Sequence, residues 1–140
     1  MTRGTMMMAA GIILVAVGMT AARQDEKHET VRALSVREIA EKLDGKETSA
    51  TAVEVTFEPG QAGASHRHPG PAFGYVLEGE YEWAIDDQPA KVLKAGETFY
   101  EPGGCLHRVS RNSGQGKTRV LAWVLHPRDA KDLVIPEPKK

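Results

Sequence analysis

The sequence is short of several things, and each shortage removes a class of answer. Its 140 residues hold a single cysteine, Cys105, so no disulfide can form within the chain. Small exported domains commonly lean on paired cysteines, so this one must stand on its core, on a metal or on a second subunit. No basic cluster occurs and the net charge is −1 with histidines neutral, which leaves no expectation of a nucleic-acid partner. There is no internal repeat and too little length for two domains. The one long apolar run, Met6 to Met19, falls short of the roughly 20 residues that a membrane span usually needs.

What is present fits a folded domain of short strands. Apolar residues make up 41% and charged residues 26%, close to the globular average, so wholesale disorder is not expected. Fourteen glycines and eight prolines favour many turns over a helix bundle. At the start, Arg3 precedes the apolar run, small residues follow at Thr20-Ala21-Ala22, and a charged stretch begins at Arg23. That order predicts a signal peptide over residues 1–22 and a periplasmic or secreted mature protein; the competing reading is an uncleaved N-terminal membrane anchor. Cleavage after Ala22 would remove one positive charge and leave the mature chain at −2.

Residues 23–49 read as a polar lead-in containing one short helix at about 35–43. Ser35 and Glu38 have capping-box spacing, Ile39, Ala40 and Leu43 follow at helical spacing, and Gly45 is placed to end the helix. From residue 50 the period changes to two. Val53, Val55 and Phe57 alternate with polar residues, and short apolar runs then recur between turns at Pro59-Gly60, Glu78-Gly79, Asp86–Pro89, Ala95-Gly96, Pro102–Gly104 and Asn112–Gly114. Six to eight short strands over residues 50–126 predict a β-sandwich or small barrel. Residues 127–140 read as a tail that frays at its proline-rich end.

His66-Arg67-His68 is the first chemically informative feature. On an extended strand, residues i and i+2 project to one face, so both imidazoles can reach one ion. Alone, the pair is weak evidence, because two surface histidines would look the same. Its surroundings are more specific: Gly60, five residues, His66-x-His68 and later Gly79, then Gly96, five residues, Pro102-x-Gly104, two residues and His107.

These eight positions, with sixteen residues between Gly79 and Gly96, resemble the two sequence motifs of the cupin superfamily, in its small single-domain members. The resemblance implies an all-β, double-stranded β-helix (jelly-roll-like) barrel. It also implies a divalent Fe, Mn, Ni, Cu, Co or Zn ion held by His66, His68 and His107 at the open end, and a homodimer. Two positions depart from the pattern. The first motif normally carries a Glu where this chain has Ala72, whose methyl group cannot coordinate, and the Asn that ends the second motif falls on Arg111, with Asn112 beside it.

Three neutral imidazoles leave the full charge of a divalent ion and at least one open position. Such a site is expected to favour an anionic, chelating ligand. Glu97 and Glu101 are candidate substitute ligands, with a solvated carboxylate as the simpler reading, above all for Glu97. The simpler reading of the triad is a decayed site whose histidines only pack and hydrogen-bond. Phe73, Tyr75, Tyr81, Trp83, Phe99 and Tyr100 should divide between ordinary core and a pocket beside the metal, with Phe73, Tyr75 and Leu77 sharing one face. Cys105 reads as a small buried hydrophobe before a near-site thiol. His28 and His126 read as surface residues, and Arg67 and Arg108 should point away from the ligands.

Three functions remain open. The first is a dioxygenase-like oxidoreductase acting on a small chelating organic molecule. The second is a non-catalytic module that binds a metal or small ligand. The third is a metal-dependent isomerase or hydrolase, for which Glu101 or Tyr100 would have to serve as acid or base.

Overall fold

A computed structural model describes residues 28–138, so the expected signal peptide, residues 1–22, lies outside the described residues. Ten strands run in chain order: β1 (Thr30–Leu43), β2 (Lys46–Phe57), β3 (His66–Arg67), β4 (Ala72–Glu78), β5 (Glu80–Ile85), β6 (Lys91–Lys94), β7 (Thr98–Glu101), β8 (His107–Asn112), β9 (Thr118–Pro127) and β10 (Ile135–Pro136). They form two antiparallel five-stranded sheets, ordered β1-β2-β9-β4-β7 and β10-β3-β8-β5-β6. This is the all-β, double-stranded β-helix barrel that the cupin resemblance implied.

The expected helix at 35–43 is not there, because Ser35–Leu43 belongs to β1. Asp44 and Gly45 have φ of 51° and 75°, and Leu43 pairs with Lys46. Two central residues with positive φ define the tight turn that matches the natural twist of a hairpin, and Asp-Gly is among its preferred sequences. Gly45 therefore folds a strand back instead of ending a helix. Two register shifts interrupt the β1 ladder, between Ala33 and Ser35 and between Ile39 and Lys42. Such bulges, with the charged Arg37, Glu38, Glu41 and Lys42, blunt an edge strand against pairing with other chains.

Between the sheets Phe57, Val76, Tyr81, Trp83, Ile85, Phe99 and Val120 form one core. Period-two alternation decides who enters it. On β4, Ala72, Gly74 and Val76 are buried while Phe73, Tyr75 and Leu77 face out together. Phe99 lies so close over Gly74 that a Cβ there would sit 1.9 Å from the ring. The aromatics divide evenly, with Tyr81, Trp83 and Phe99 inside and Phe73, Tyr75 and Tyr100 outside. No helix among the described residues is long and apolar enough to cross a membrane.

Within the tail, the segment up to residue 138 is tied to the barrel. Ile135 and Pro136 pair with Arg67 and His66, the Glu137 amide donates to the Ser65 carbonyl, and the Arg67 guanidinium meets the Glu137 carboxylate at 3.1 Å. A proline is tolerated here because β10 is an edge strand. This C-terminal strap closes over the barrel mouth beside the histidines.

Candidate metal centre

Two short strands deliver the three histidines. His66 on β3 is the direct cross-strand partner of His107 on β8, and His68, two residues on, returns to the same side. The ring centroids of His66 lie 4.7 Å from those of His68 and 4.9 Å from those of His107. One nitrogen from each of the three falls within 4.8 Å of the others.

Backbone carbonyls set two of the tautomers. His66 Nδ1 lies 2.8 Å from the Ala64 oxygen, and His68 Nδ1 lies 2.6 Å from the Leu133 oxygen. A carbonyl only accepts, so each Nδ1 carries a proton, and in the neutral ring each Nε2 keeps a free lone pair. Those two Nε2 atoms face each other at 3.2 Å. Two lone pairs at that distance repel unless a proton or a metal ion lies between them. Burial holds the His68 imidazole below its ordinary pKa, with the His66 charge adding to the effect and the Leu133 hydrogen bond opposing it. Burial, then the His66 and His68 charges, pushes His107 down to about 3. Both rings are thus neutral near pH 7, the form that binds metals.

Glu101, 1% exposed, reaches the same place from β7. Its Oε1 accepts a hydrogen bond from Trp83 Nε1 at 2.9 Å and lies 3.2 Å from His107 Nδ1. Its Oε2 lies 3.4 Å from His68 Nε2. With His107 and His68 neutral, these close contacts are not ion pairs. Glu101 Oε2 and His107 Nδ1 are the two buried side-chain polar atoms left without a hydrogen-bond partner among the described residues. Burial raises the Glu101 carboxyl to about 7 against the lowering effect of Trp83. An unpaired carboxylate oxygen beside three imidazoles is a donor set that fits a divalent transition metal.

On the other side of His107, the Tyr81 hydroxyl lies 3.2 Å from Nε2 and 2.9 Å from Ser110 Oγ. Burial holds the Tyr81 phenol far above its usual pKa, so it stays protonated. The histidines, Glu101 and Tyr81 line one end of a cavity of about 200 Å³ whose walls include Val53, Val55, Phe99, Val120 and Val124. Glu29 and Val31, and Leu133, Val134 and Pro136 of the strap, also line it.

Other candidates fall elsewhere. Glu97 is exposed and accepts from the Lys94 amide. Tyr100 faces out, stacked on Phe73 at 5.0 Å, so it is no acid or base for this cavity. Cys105 packs against the core, where burial first, and the Glu101 and Asp86 charges after it, raise its thiol to about 11. Arg67 and Arg108 point away from the triad and tie loops together through Gly104, Asp86 and Gln88 carbonyls. Asn112 is structural, with three hydrogen bonds to Phe57, Gly114 and Gly116. His28 is exposed as expected, but His126 is buried, 2.9 Å from Thr51 Oγ1. Alternation along β9, where His126 is in phase with Val120 and Val124, was the signal that puts it inside. Tyr81 is one of the aromatics expected in the core or beside the metal, whereas no sequence pattern marks the Leu133 carbonyl.

Comparison with known proteins supports the same assignment. The profile of the cupin domain matches residues 53–124. No curated protein sequence matches the chain. Among solved structures, a conserved protein with a double-stranded β-helix domain from Klebsiella pneumoniae superposes with a TM-score of 0.60 at 22% identity, covering 82% of this chain and 90% of that one. A cupin-like protein from Thermotoga maritima gives 0.54 at 22% identity, over 69% of this chain and 67% of that one. Oxalate oxidase in complex with the substrate analogue glycolate gives 0.53 at 26% identity, over 72% of this chain and 52% of that one. With the profile covering the strands that carry both motifs, the chain belongs to the cupin family.

Proposed function

We propose that this protein is an exported metal-binding cupin that acts as a dioxygenase-like oxidoreductase on a small chelating organic molecule. The observation that carries the reading is the pair of Nε2 lone pairs held 3.2 Å apart by carbonyl-anchored imidazoles, which leaves them aimed at a shared cation. His66 and His68 would hold the ion through Nε2, and His107 through a ring nitrogen. When bound, a divalent transition metal supplies Lewis acidity and, for a redox-active ion, electron transfer to a chelated ligand. The remaining work falls to the protein. Phe99, Val120 and Val124 exclude water from the inner wall, Trp83 orients the Glu101 carboxylate, and the protonated Tyr81 hydroxyl stands beside His107.

The cavity limits the substrate. At about 200 Å³ it is smaller than the roughly 300–1,000 Å³ of drug-sized sites. A molecule with one polar chelating end and a short apolar body suits a pocket polar at one end and aliphatic along its walls. The likeness to oxalate oxidase bound to glycolate makes small hydroxy- and dicarboxylates the first compounds to try. Oxygen uptake by metal-loaded protein against such a panel tests the reading. Turnover that disappears in His107→Ala supports it, while tight metal binding with no oxygen consumption or product favours the non-catalytic binding module.

Export through residues 1–22 and assembly as a homodimer belong to the same proposal. Sequencing the N-terminus of protein recovered outside the cytoplasm should begin at Arg23. The outward Phe73, Tyr75, Tyr100 and Trp123 give a second subunit an apolar face, and light scattering should return twice the chain mass.

A further inference from the structure

Sheet register, not motif position, brings Glu101 to the histidines. Thr51 on β2, Val124 on β9, Ala72 on β4 and Glu101 on β7 form one continuous row of cross-strand partners. Directly opposed residues in antiparallel strands point to the same face with their Cβ atoms about 4.5–5.5 Å apart. Ala72 is fully buried, and its small methyl leaves room over the row's inner face. The longer Glu101 side chain extends into that room, and both its oxygens end within 3.4 Å of a histidine nitrogen.

The electrostatics of the spot are incomplete as they stand. A buried carboxylate needs a cation or several donors, and Trp83 supplies only one. Arg67 is turned away to Glu137 and the Gly104 carbonyl. The unpaired Oε2 lies 3.4 Å from one of the two opposed Nε2 atoms, the unpaired His107 Nδ1 lies 3.2 Å from the other oxygen of the same carboxylate, and one nitrogen from each of the three histidines falls within 4.8 Å of the others. One divalent ion there would satisfy all of them.

We propose that Glu101 is the fourth protein donor of the metal site, delivered from β7 opposite Ala72. The inference rests on the metal-binding reading and deepens it. The site then has three imidazoles and one carboxylate, and a bound divalent ion retains a single net positive charge. This shifts preference toward ions that accept oxygen ligands, Fe(II) and Mn(II) among them. It also leaves fewer open positions for a substrate to occupy.

Cobalt(II) is the probe, because its visible spectrum reports its ligands. The purified full chain, Glu101→Gln, and the double variant Glu101→Ala with Ala72→Glu are titrated with Co(II) against a competing chelator. Gln keeps the shape and still accepts from Trp83, and metal-free circular dichroism checks the fold. Expected are a loss of Co(II) affinity of about tenfold or more and a changed visible spectrum in Glu101→Gln. The double variant should recover both, since position 72 faces the same ion from the next strand. Unchanged affinity overturns the inference, as does weaker binding with an unaltered spectrum, which would make Glu101 a positioning residue. If Glu101→Gln does not fold, the double variant decides alone: a wild-type-like spectrum supports the inference, and no binding overturns it. Wild-type protein that takes up no Co(II) would remove the metal reading itself, an outcome distinct from all of these.

Discussion

Two buried polar clusters sit in different parts of this barrel, and they are built differently. Around Asn112, every polar atom of the side chain is used: Nδ2 donates to the Phe57 and Gly116 carbonyls, and Oδ1 accepts from the Gly114 amide. Around Glu101 and His107, a carboxylate oxygen and a ring nitrogen have no partner, and two imidazole lone pairs oppose each other. The first cluster is closed and holds a turn in place. The second is complete only when something positively charged is added, and orphaned polar atoms inside a protein are costly enough that they seldom persist without a use. On the proposed metal-binding reading, the contrast separates polar burial that serves folding from polar burial that serves binding.

Substitutions should respect that division. Asn112→Ala removes three hydrogen bonds and orphans the Gly114 amide, so it should cost about 3 kcal/mol of stability, read from chemical denaturation. Metal affinity should not change with it. A loss of metal affinity there would blur the two clusters into one.

The pH dependence of the metal-free protein sharpens the other side. The Glu101 carboxyl releases its proton near 4.5 when unfolded and near about 7 when folded, so the fold binds the extra proton between those values. That contribution is whole below 4.5 and lost as pH rises through 7. Wild type should therefore lose stability, on the order of 2 kcal/mol relative to Glu101→Gln, between pH 4.5 and 7. His107 acts in the opposite sense, its stability being present above 6.5 and lost as pH falls toward about 3, and it is retained in Glu101→Gln. Parallel pH profiles would show that Glu101 is not strained in the empty site.

The smallest effect belongs to the strap. Ending the chain after Lys131 removes the Leu133 carbonyl that holds His68 Nδ1. Metal affinity should fall about tenfold, or about 1.4 kcal/mol, with the barrel still folded. Unchanged affinity would mean that the strap only covers the mouth.

The central barrel and its triad were legible because their information is local. The spacing of His66, His68 and His107 relative to glycines and prolines needs no knowledge of which strands pair. What was not legible depended on pairing or on competing local signals. Ser35-x-x-Glu38 suggested a helix, but Asp44-Gly45 makes a two-residue turn that commits the whole stretch to a strand. The strap is proline-rich and short, and its order comes from Arg67, Ser65 and His68, some seventy residues away in the chain. Glu101 was a candidate on proximity to Pro102, yet only the register of β4 with β7 sets it opposite Ala72. His126 matches no motif position, and only its phase on β9, shared with Val120 and Val124, puts it inside.

The central claim is that the triad holds a metal, and elemental mass spectrometry of the purified protein tests it most directly, with His107→Ala as the control. The account predicts about one transition-metal ion per chain in wild type and a nearly empty control. Protein that remains metal-free after reconstitution with Fe(II), Mn(II), Co(II) and Zn(II) would contradict it.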